Sequence, residues 1–419
     1  MKIAFLLDAF PVLSETFILN QITGLIDNGN EVSIFARRYQ DRTEIHPDVM
    51  QYNLLKACTY LEQPPSRRLT CLNEYLRMLI RFVHYQPSTL SRLITLLGKQ
   101  KIKESLARTY TLAPLLVKPF DILQCHYANN GLSGIHLKRL GCRAKVVTMF
   151  HGHDIRTGIE NNGTCYNDLW QYGDCYLSIS RYTSDHIIRF GADPSRIVHH
   201  PVGIDTTKFP FRRPAMHSGS RAGFVRLISV ARLVPEKGLS HALQAIRKML
   251  DGMPDLAVEY RIIGEGPLQQ GLENQAHELG LTDIVTFLGG ANQSVVQKEL
   301  ADADIFLLPS MAEVLPAALM EAQSTGLPAV ASDVGGVCEI ILDKRSGYLV
   351  PPGKPDVLAD CLGRIILQRN RWEEMGRIGS SFIAKHFDIM NLNERLETIY
   401  TELMHNRKPC LPDHFRGEN

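Results

Sequence analysis

Two carboxylates eight positions apart, Glu313 and Glu321, carry the most chemical information in this 419-residue chain. They lie in the stretch Ile305-Phe-Leu-Leu-Pro-Ser-Met-Ala-Glu313-Val314-Leu315-Pro316-Ala-Ala-Leu-Met-Glu321-Ala. An apolar, strand-like run over 305–308 meets a Pro-Ser turn. Glu313 follows in a loop, and Pro316 suits the first turn of a helix. Glu321 then falls about a turn and a half into that helix, and eight residues at helical rise span roughly 12 Å. The helix start between them offers free backbone N–H groups to an anion. That layout suits a ligand with a sugar near one end, a ribose near the other and phosphates between, which is the layout of a nucleotide-sugar. Taken alone, such a pair is more often solvated surface, so its neighbours must decide.

Arg232 and Lys237 fall in Val230-Ala-Arg232-Leu-Val-Pro-Glu-Lys237-Gly238, just after a strand-like run. A guanidinium and an ammonium there suit a diphosphate and would stabilise charge on a departing nucleoside diphosphate. Exposed loop cations are the competing reading. Gly264-Glu-Gly266-Pro267 follows another strand but lacks the third glycine of the dinucleotide fingerprint. Gly335-Gly336 precedes an expected helix near Val337, where N–H groups could face an anion. In the first half, His151-Gly-His153-Asp154 ends a strand over 144–149, and Ser14-Glu15-Thr16 sits in the first strand-to-helix turn, where Ser14 suits a helix cap. Asp302-Ala-Asp304 matches a metal-binding Asp-x-Asp pattern. However, Asp302 ends a helix and Asp304 enters a buried strand, so no metal is assigned.

The elements that position these groups alternate between strand-like and helix-like runs, as in parallel sheets covered by helices. Expected strands are 2–7, 31–36, 121–125, 144–149 and 175–179, then 225–230, 257–263, 284–287, 304–308, 328–331 and 347–350. The turn-rich stretch 201–222 reads as the linker between two doubly wound domains, with ligands at the carboxyl ends of their strands and the active site in the cleft between them. The length favours two domains. The apolar fraction of 44%, charged fraction of 21% and net charge of +2 are those of an ordinary soluble protein. No apolar run approaches a membrane span. The nine cysteines are scattered, with no CxxC pair, which suits reduced thiols in a cytoplasmic enzyme. Residues 66–118 carry ten Lys or Arg against Glu74 and Glu104, leaving the rest of the chain at +2 − 8 = −6. Aliphatics interleave there as in basic amphipathic helices, which can lie on an anionic membrane surface. Core-facing helices with a solvated basic side are the other reading. No motif supports nucleic-acid binding.

With these segments in order, the chain resembles the retaining glycosyltransferases of family 4, which have the α/β GT-B architecture of two Rossmann-like domains facing across a cleft. The matching run is Ser229-Val-Ala-Arg232-Leu-Val-Pro-Glu-Lys237-Gly238, Gly264-Glu-Gly-Pro267, Val285-Thr-Phe-Leu-Gly289 and Ala303-Asp-Ile-Phe-Leu-Leu-Pro-Ser310. It continues through Glu313-x7-Glu321-Ala, Gly326-Leu-Pro-Ala-Val, Gly335-Gly336 and Ser346-Gly-Tyr-Leu-Val-Pro-Pro. Phe10-Pro-x-x-Ser-Glu-Thr-Phe17 and His151-Gly-His-Asp154 resemble the branch that makes bacterial exopolysaccharides of the colanic-acid type. The chain departs from many relatives in having Val314 where they have glycine, and in lacking glycine between Asp8 and Asn20.

The resemblance implies an acceptor-side domain over 1–205, a donor domain over 206–388, a helix over 389–407 crossing back to the first domain, and a tail over 408–419. Arg232 and Lys237 would bind the donor diphosphate, Glu321 the ribose hydroxyls, and Glu313 the transferred sugar, with Val314, Leu315 and Pro316 beside it. Gly264 and Leu288 would lie near the base. His151 would face the sugar, and Ser14, Glu15 and Asp154 are acceptor-side candidates. Glu313, His151, Arg232 and Lys237 would form the catalytic set, with no metal or other cofactor. The expected function is transfer of a hexose from a nucleotide-diphosphate-sugar to a surface polysaccharide acceptor linked to a polyprenyl diphosphate. It would take place in the cytoplasm, peripherally at the inner membrane face through 66–118. A GT-B nucleotide-sugar epimerase and a non-catalytic GT-B scaffold are the alternatives; the missing third glycine disfavours a dehydrogenase.

Overall fold

The structure, a computed structural model, describes all residues except 13–14, 41–44, 86, 98–101, 213–223 and 410–419. Ser14, Lys99, Lys101, residues 213–222 of the expected linker and residues 410–419 of the expected tail therefore lie outside the described residues. The chain forms two compact units, one of residues 1–200 joined by residues 393–411, the other built on residues 201–392.

The first unit is built on β1 (Lys2–Phe10), β2 (Glu31–Tyr39), β3 (Cys58–Tyr60), β4 (Ile122–His126), β5 (Lys145–Phe150), β6 (Cys175–Ser178) and β7 (Ile197–His199). All pair in parallel, in the order β3-β2-β1-β4-β5-β6-β7. The second holds β8 (Val225–Val230), β9 (Val258–Ile263), β10 (Val285–Gly289), β11 (Ile305–Leu308), β12 (Ala329–Ser332) and β13 (Gly347–Val350), again parallel, in the order β10-β9-β8-β11-β12-β13. A parallel sheet is covered on both faces, so its strands are continuous apolar runs. Ile3 to Leu7 and Ile305 to Leu308 are buried accordingly. Two strands escape the sequence reading, β3 and β7. Each is a three-residue edge strand with partly exposed residues, too short to leave an apolar signature. The helix Ile389–Met404 brings Tyr400, fully buried, against the first sheet, where its hydroxyl donates to Gln124 Oε1 at 2.9 Å.

In each sheet the order reverses once, between β1 and β4 and between β8 and β11. The connections leaving those neighbours go to opposite faces, which opens a crevice at their carboxyl ends. In the second unit the strand-tip loops are tied together by backbone. Leu233 N–H donates to Glu265 O at 2.8 Å, Met311 N–H to Glu236 O at 2.8 Å, and Gly336 N–H to Val314 O at 3.0 Å. Two glycines make this approach possible. Gly264 has φ +143° and a Cβ there would stand 1.9 Å from Ala231 O; Gly335 has φ +56° and a Cβ would stand 1.7 Å from Glu313 O. Their freedom admits neighbouring backbone. The Gly336 N–H, expected to be open to an anion, is thus spent on Val314, and the element that follows is a single 3₁₀ turn, Val337–Glu339, in place of the expected helix.

Gly335→Ala and Gly264→Ala should each lose on the order of 2 kcal/mol of stability or more, since both backbone conformation and space are denied. Gly252→Ala, at a helix end with nothing within 4 Å of its would-be Cβ, is the control and should be neutral. Denaturant titration of the three variants measures this; an unchanged Gly335→Ala would show that the loops are not tied as described.

Candidate active site

The second unit gathers its candidate residues around the β8/β11 crevice. After β8 the chain passes Arg232 and forms a 3₁₀ turn, Pro235–Lys237. After β11 it turns at Pro309-Ser310 toward Glu313. Lys237 Nζ donates to Glu313 Oε1 at 2.5 Å, and Ser310 Oγ donates to the same oxygen at 2.8 Å. The Glu313 side chain is 8% exposed, and Ser310 is fully buried. A carboxylate so enclosed needs its partners, and removing one leaves a buried charge uncompensated. Arg232 is exposed, and among the described residues no ion pair or side-chain hydrogen bond holds its guanidinium.

The helix Ala317–Thr325 starts at Pro316, and no side chain caps it. Its first N–H groups and the positive end of its dipole are the features that bind anions. Glu321 follows one turn in. It is half-buried, no ion pair or hydrogen bond among the described residues engages its carboxyl, and burial pushes that carboxyl up to about 7. Val314 is half-buried, while Leu315 and Pro316 are buried. Leu288 falls where the β10–β9 register shifts and is 38% exposed; Gly264 stands at the tip of β9.

In the first unit, Tyr127 follows β4 at φ +69°, a region that side-chain-bearing residues rarely occupy. Its hydroxyl donates to Glu15 Oε1 at 2.9 Å. Burial raises the Glu15 carboxyl, against the hydrogen bond from Tyr127 and with the help of Asp8. His126 Nδ1 and His151 Nε2 lie 3.2 Å apart between stacked rings. Burial pushes His151 down to about 3 and His126 well below its usual value. Both rings are therefore neutral near pH 7, one donating and one accepting. Asp154 is 2% exposed and accepts the N–H groups of Ala128 at 3.0 Å and His151 at 2.8 Å. Burial outweighs those donors and raises its carboxyl to about 7. Through these two bonds Asp154 ties the tips of β4 and β5 together.

Asp304 accepts the Arg226 N–H at 2.8 Å, and Asp302 lies 3.8 Å from the Arg226 guanidinium, so both serve that arginine. Among the described residues no group of three or more His, Cys, Asp or Glu is placed to hold a metal, and no helix is long and apolar enough to cross a membrane. Three residues enter to which the sequence reading gave no role: Ser310, His126 and Tyr127. Each is a polar residue at the end of an apolar strand, which is the signal that could have marked it.

This fold, two parallel Rossmann-like sheets with polar residues at the switch points, is that of the GT-B glycosyltransferases. The crystal structure of HepE from Anabaena with UDP superposes with a TM-score of 0.71 at 17% identity, covering 96% of this chain and 100% of that one. Sucrose-phosphate synthase from Thermosynechococcus elongatus gives 0.70 at 16% identity, covering 97% and 100%. Residues 14–208 match the family described as Glycosyltransferase Family 4, and residues 217–381 match Glycosyl transferases group 1. AmsK of Erwinia amylovora, named as an amylovoran biosynthesis glycosyltransferase, is 35% identical over 87% of this chain and 90% of its own length. WcaL of Escherichia coli K12, whose name places it in colanic acid biosynthesis, is 32% identical over 86% and 90%. The chain belongs to the family 4 GT-B glycosyltransferases, in the branch of these exopolysaccharide enzymes.

Glu321 yields a test with a definite sign. Its carboxyl has an ordinary value of 4.5 and is raised to about 7 in the fold. Between those values the folded chain keeps a proton that the unfolded chain has lost, so its contribution to stability is present at low pH and lost as pH rises through about 7. Glu321→Gln, which cannot ionise, should be more stable than wild type near pH 8 by on the order of 2 kcal/mol. It should show no such gain near pH 4. Equal stabilities near pH 8 would mean the carboxylate is well solvated.

Proposed function

We propose that this glycosyltransferase moves a hexose from a nucleotide-diphosphate-sugar, with retention at the anomeric carbon and without a metal, onto a lipid-linked exopolysaccharide acceptor at the inner face of the plasma membrane. The observation that carries the reading is the cluster at the β8/β11 crevice. There Lys237, Glu313 and Ser310 are bonded together beside the uncapped start of Ala317–Thr325, with Glu321 one turn beyond. HepE's complex with UDP and the exopolysaccharide names of AmsK and WcaL support the donor and the product class.

In this reading the diphosphate takes the helix start together with Arg232 and Lys237, and Glu321 accepts from the ribose hydroxyls. Glu313 contacts the transferred sugar, with Gly264 and Leu288 near the base. The bond from the anomeric carbon to the diphosphate breaks, leaving charge that Arg232, Lys237 and the helix dipole stabilise. The acceptor hydroxyl bonds to the same face of that carbon, and its proton passes to the departing phosphate oxygen. His151, held neutral against His126, serves the sugar as a polar contact without charge, and Glu15 belongs to the acceptor side.

A thermal-shift screen of UDP-, GDP-, ADP- and dTDP-sugars, with and without magnesium, tests the donor site, because a ligand of the folded state raises the midpoint with occupancy. One nucleotide family should give a shift that magnesium does not change. Glu321→Ala should weaken that donor about tenfold, the loss of one charge-assisted hydrogen bond. Lys237→Ala should chiefly lower kcat, by about 10²-fold. Binding and turnover unchanged in both variants would remove the site assignment. An isomerised sugar as the product would instead indicate an epimerase, and silence from every nucleotide a scaffold.

A further inference from the structure

The helix Arg68–Tyr85 has two apolar faces where a surface helix ordinarily has one. One face turns inward: Met78 and Phe82 are buried in a cluster with Leu93, Leu96 and Leu140, and Tyr75 and Leu79 pack against it. The other is a stripe of Leu69, Leu72, Leu76, Ile80 and Val83, exposed by 79, 55, 47, 58 and 52%. Its spacings of 3, 4, 4 and 3 residues place all five side chains within an arc of about 80°, opposite Met78, along roughly 20 Å of helix. Contiguous exposed apolar surface on this scale marks an interaction site.

Charge selects the partner. Arg67 and Arg68 adjoin the first turn, and Arg77 and Arg81 line one flank; all four are exposed. Arg92, Lys103 and Arg108, from the helices that follow, and Lys118, just beyond them, are exposed as well. Glu74 is bonded to Arg77, which leaves Glu104 as the only other acid of the segment. The partner must offer an apolar layer beneath negative charge that reaches both sides of the stripe, since helical rotation sets Arg68 on one flank and Arg77 and Arg81 on the other. An anionic lipid bilayer has that construction, whereas a single acidic helix would satisfy only one flank.

We propose that Arg68–Tyr85 seats this protein on an anionic membrane. The helix lies in the plane of the interface, with the stripe among the acyl chains and its arginines at the phosphates. The proposal goes beyond the catalytic reading and stands without it.

The test uses the full chain in flotation with vesicles of phosphatidylcholine, with and without phosphatidylglycerol. Wild type should float with the anionic vesicles only. Leu72→Ser/Leu76→Ser/Ile80→Ser should abolish flotation, and Arg68→Glu/Arg81→Glu should weaken it at least tenfold, an effect that added salt reproduces in the wild type. Both variants change exposed residues, so melting midpoints and the nucleotide-sugar shift should be kept. Flotation lost with that shift intact isolates this helix; flotation kept with that shift absent counts against the catalytic reading alone. Wild-type flotation with neither vesicle, or unaltered flotation of the serine variant, would overturn the proposal. So would a wild-type dimer in sedimentation that the serine variant loses, because the stripe would then be covered by a second copy.

Discussion

The bond between Lys237 and Glu313 is the constraint around which the second unit is arranged. A carboxylate enclosed to this degree is tolerable only with a cation against it, and the cation comes from the loop of a different strand. That requirement brings the tips of β8 and β11 together at the one place in the sheet where their connections diverge. With Glu313 held, Pro316 and the start of the next helix are held too, which sets the distance from the basic loop to Glu321. Ser310 bonds to the same oxygen, so the carboxylate has a second donor beside the lysine.

The first unit solves a similar problem without charge. Its strand tips carry His126, His151 and Asp154, all buried, and burial keeps the two rings neutral. Asp154 takes the backbone N–H groups at two strand ends, doing for β4 and β5 what the ion pair does for β8 and β11. Tyr127 bears the cost in backbone strain. Its positive φ is a conformation that persists where surroundings over-determine it, and here its hydroxyl is bonded to Glu15 and its ring lies 4.7 Å from that of His151.

The sheets were legible because parallel strands buried on both faces must be apolar throughout; β8 and β13 fall at 225–230 and 347–350, the bounds read from sequence. Edge strands of three residues carry no such signal, which is why β3 and β7 were passed over. The candidate site was legible as residue types in order along the chain. Which partners those residues take was not. Glu313 and Lys237 were each read as facing a ligand, and no spacing rule states that two residues 76 positions apart bond to one another. The backbone partners of Asp154 were not legible either, since a carboxylate at a strand tip can turn inward to N–H groups as readily as outward. The basic segment was read correctly as amphipathic helices, but sequence alone did not reveal that the first of them has an inner face supplied by other aliphatics, leaving its stripe uncovered.

Gly335 has a consequence for how such a protein can diversify. Any codon change that replaces this glycine adds at least one carbon, at a point 1.7 Å from the carbonyl oxygen of Glu313. The position has no intermediate states through which a lineage could pass, so the backbone bearing Glu313 is closed to gradual adjustment. Leu288 and Val314 are different: one is partly exposed and the other half-buried, and a side chain there can grow or shrink by one methylene at a time. Gradual change in side-chain size would therefore accumulate at positions such as these, around a frame that is closed to it.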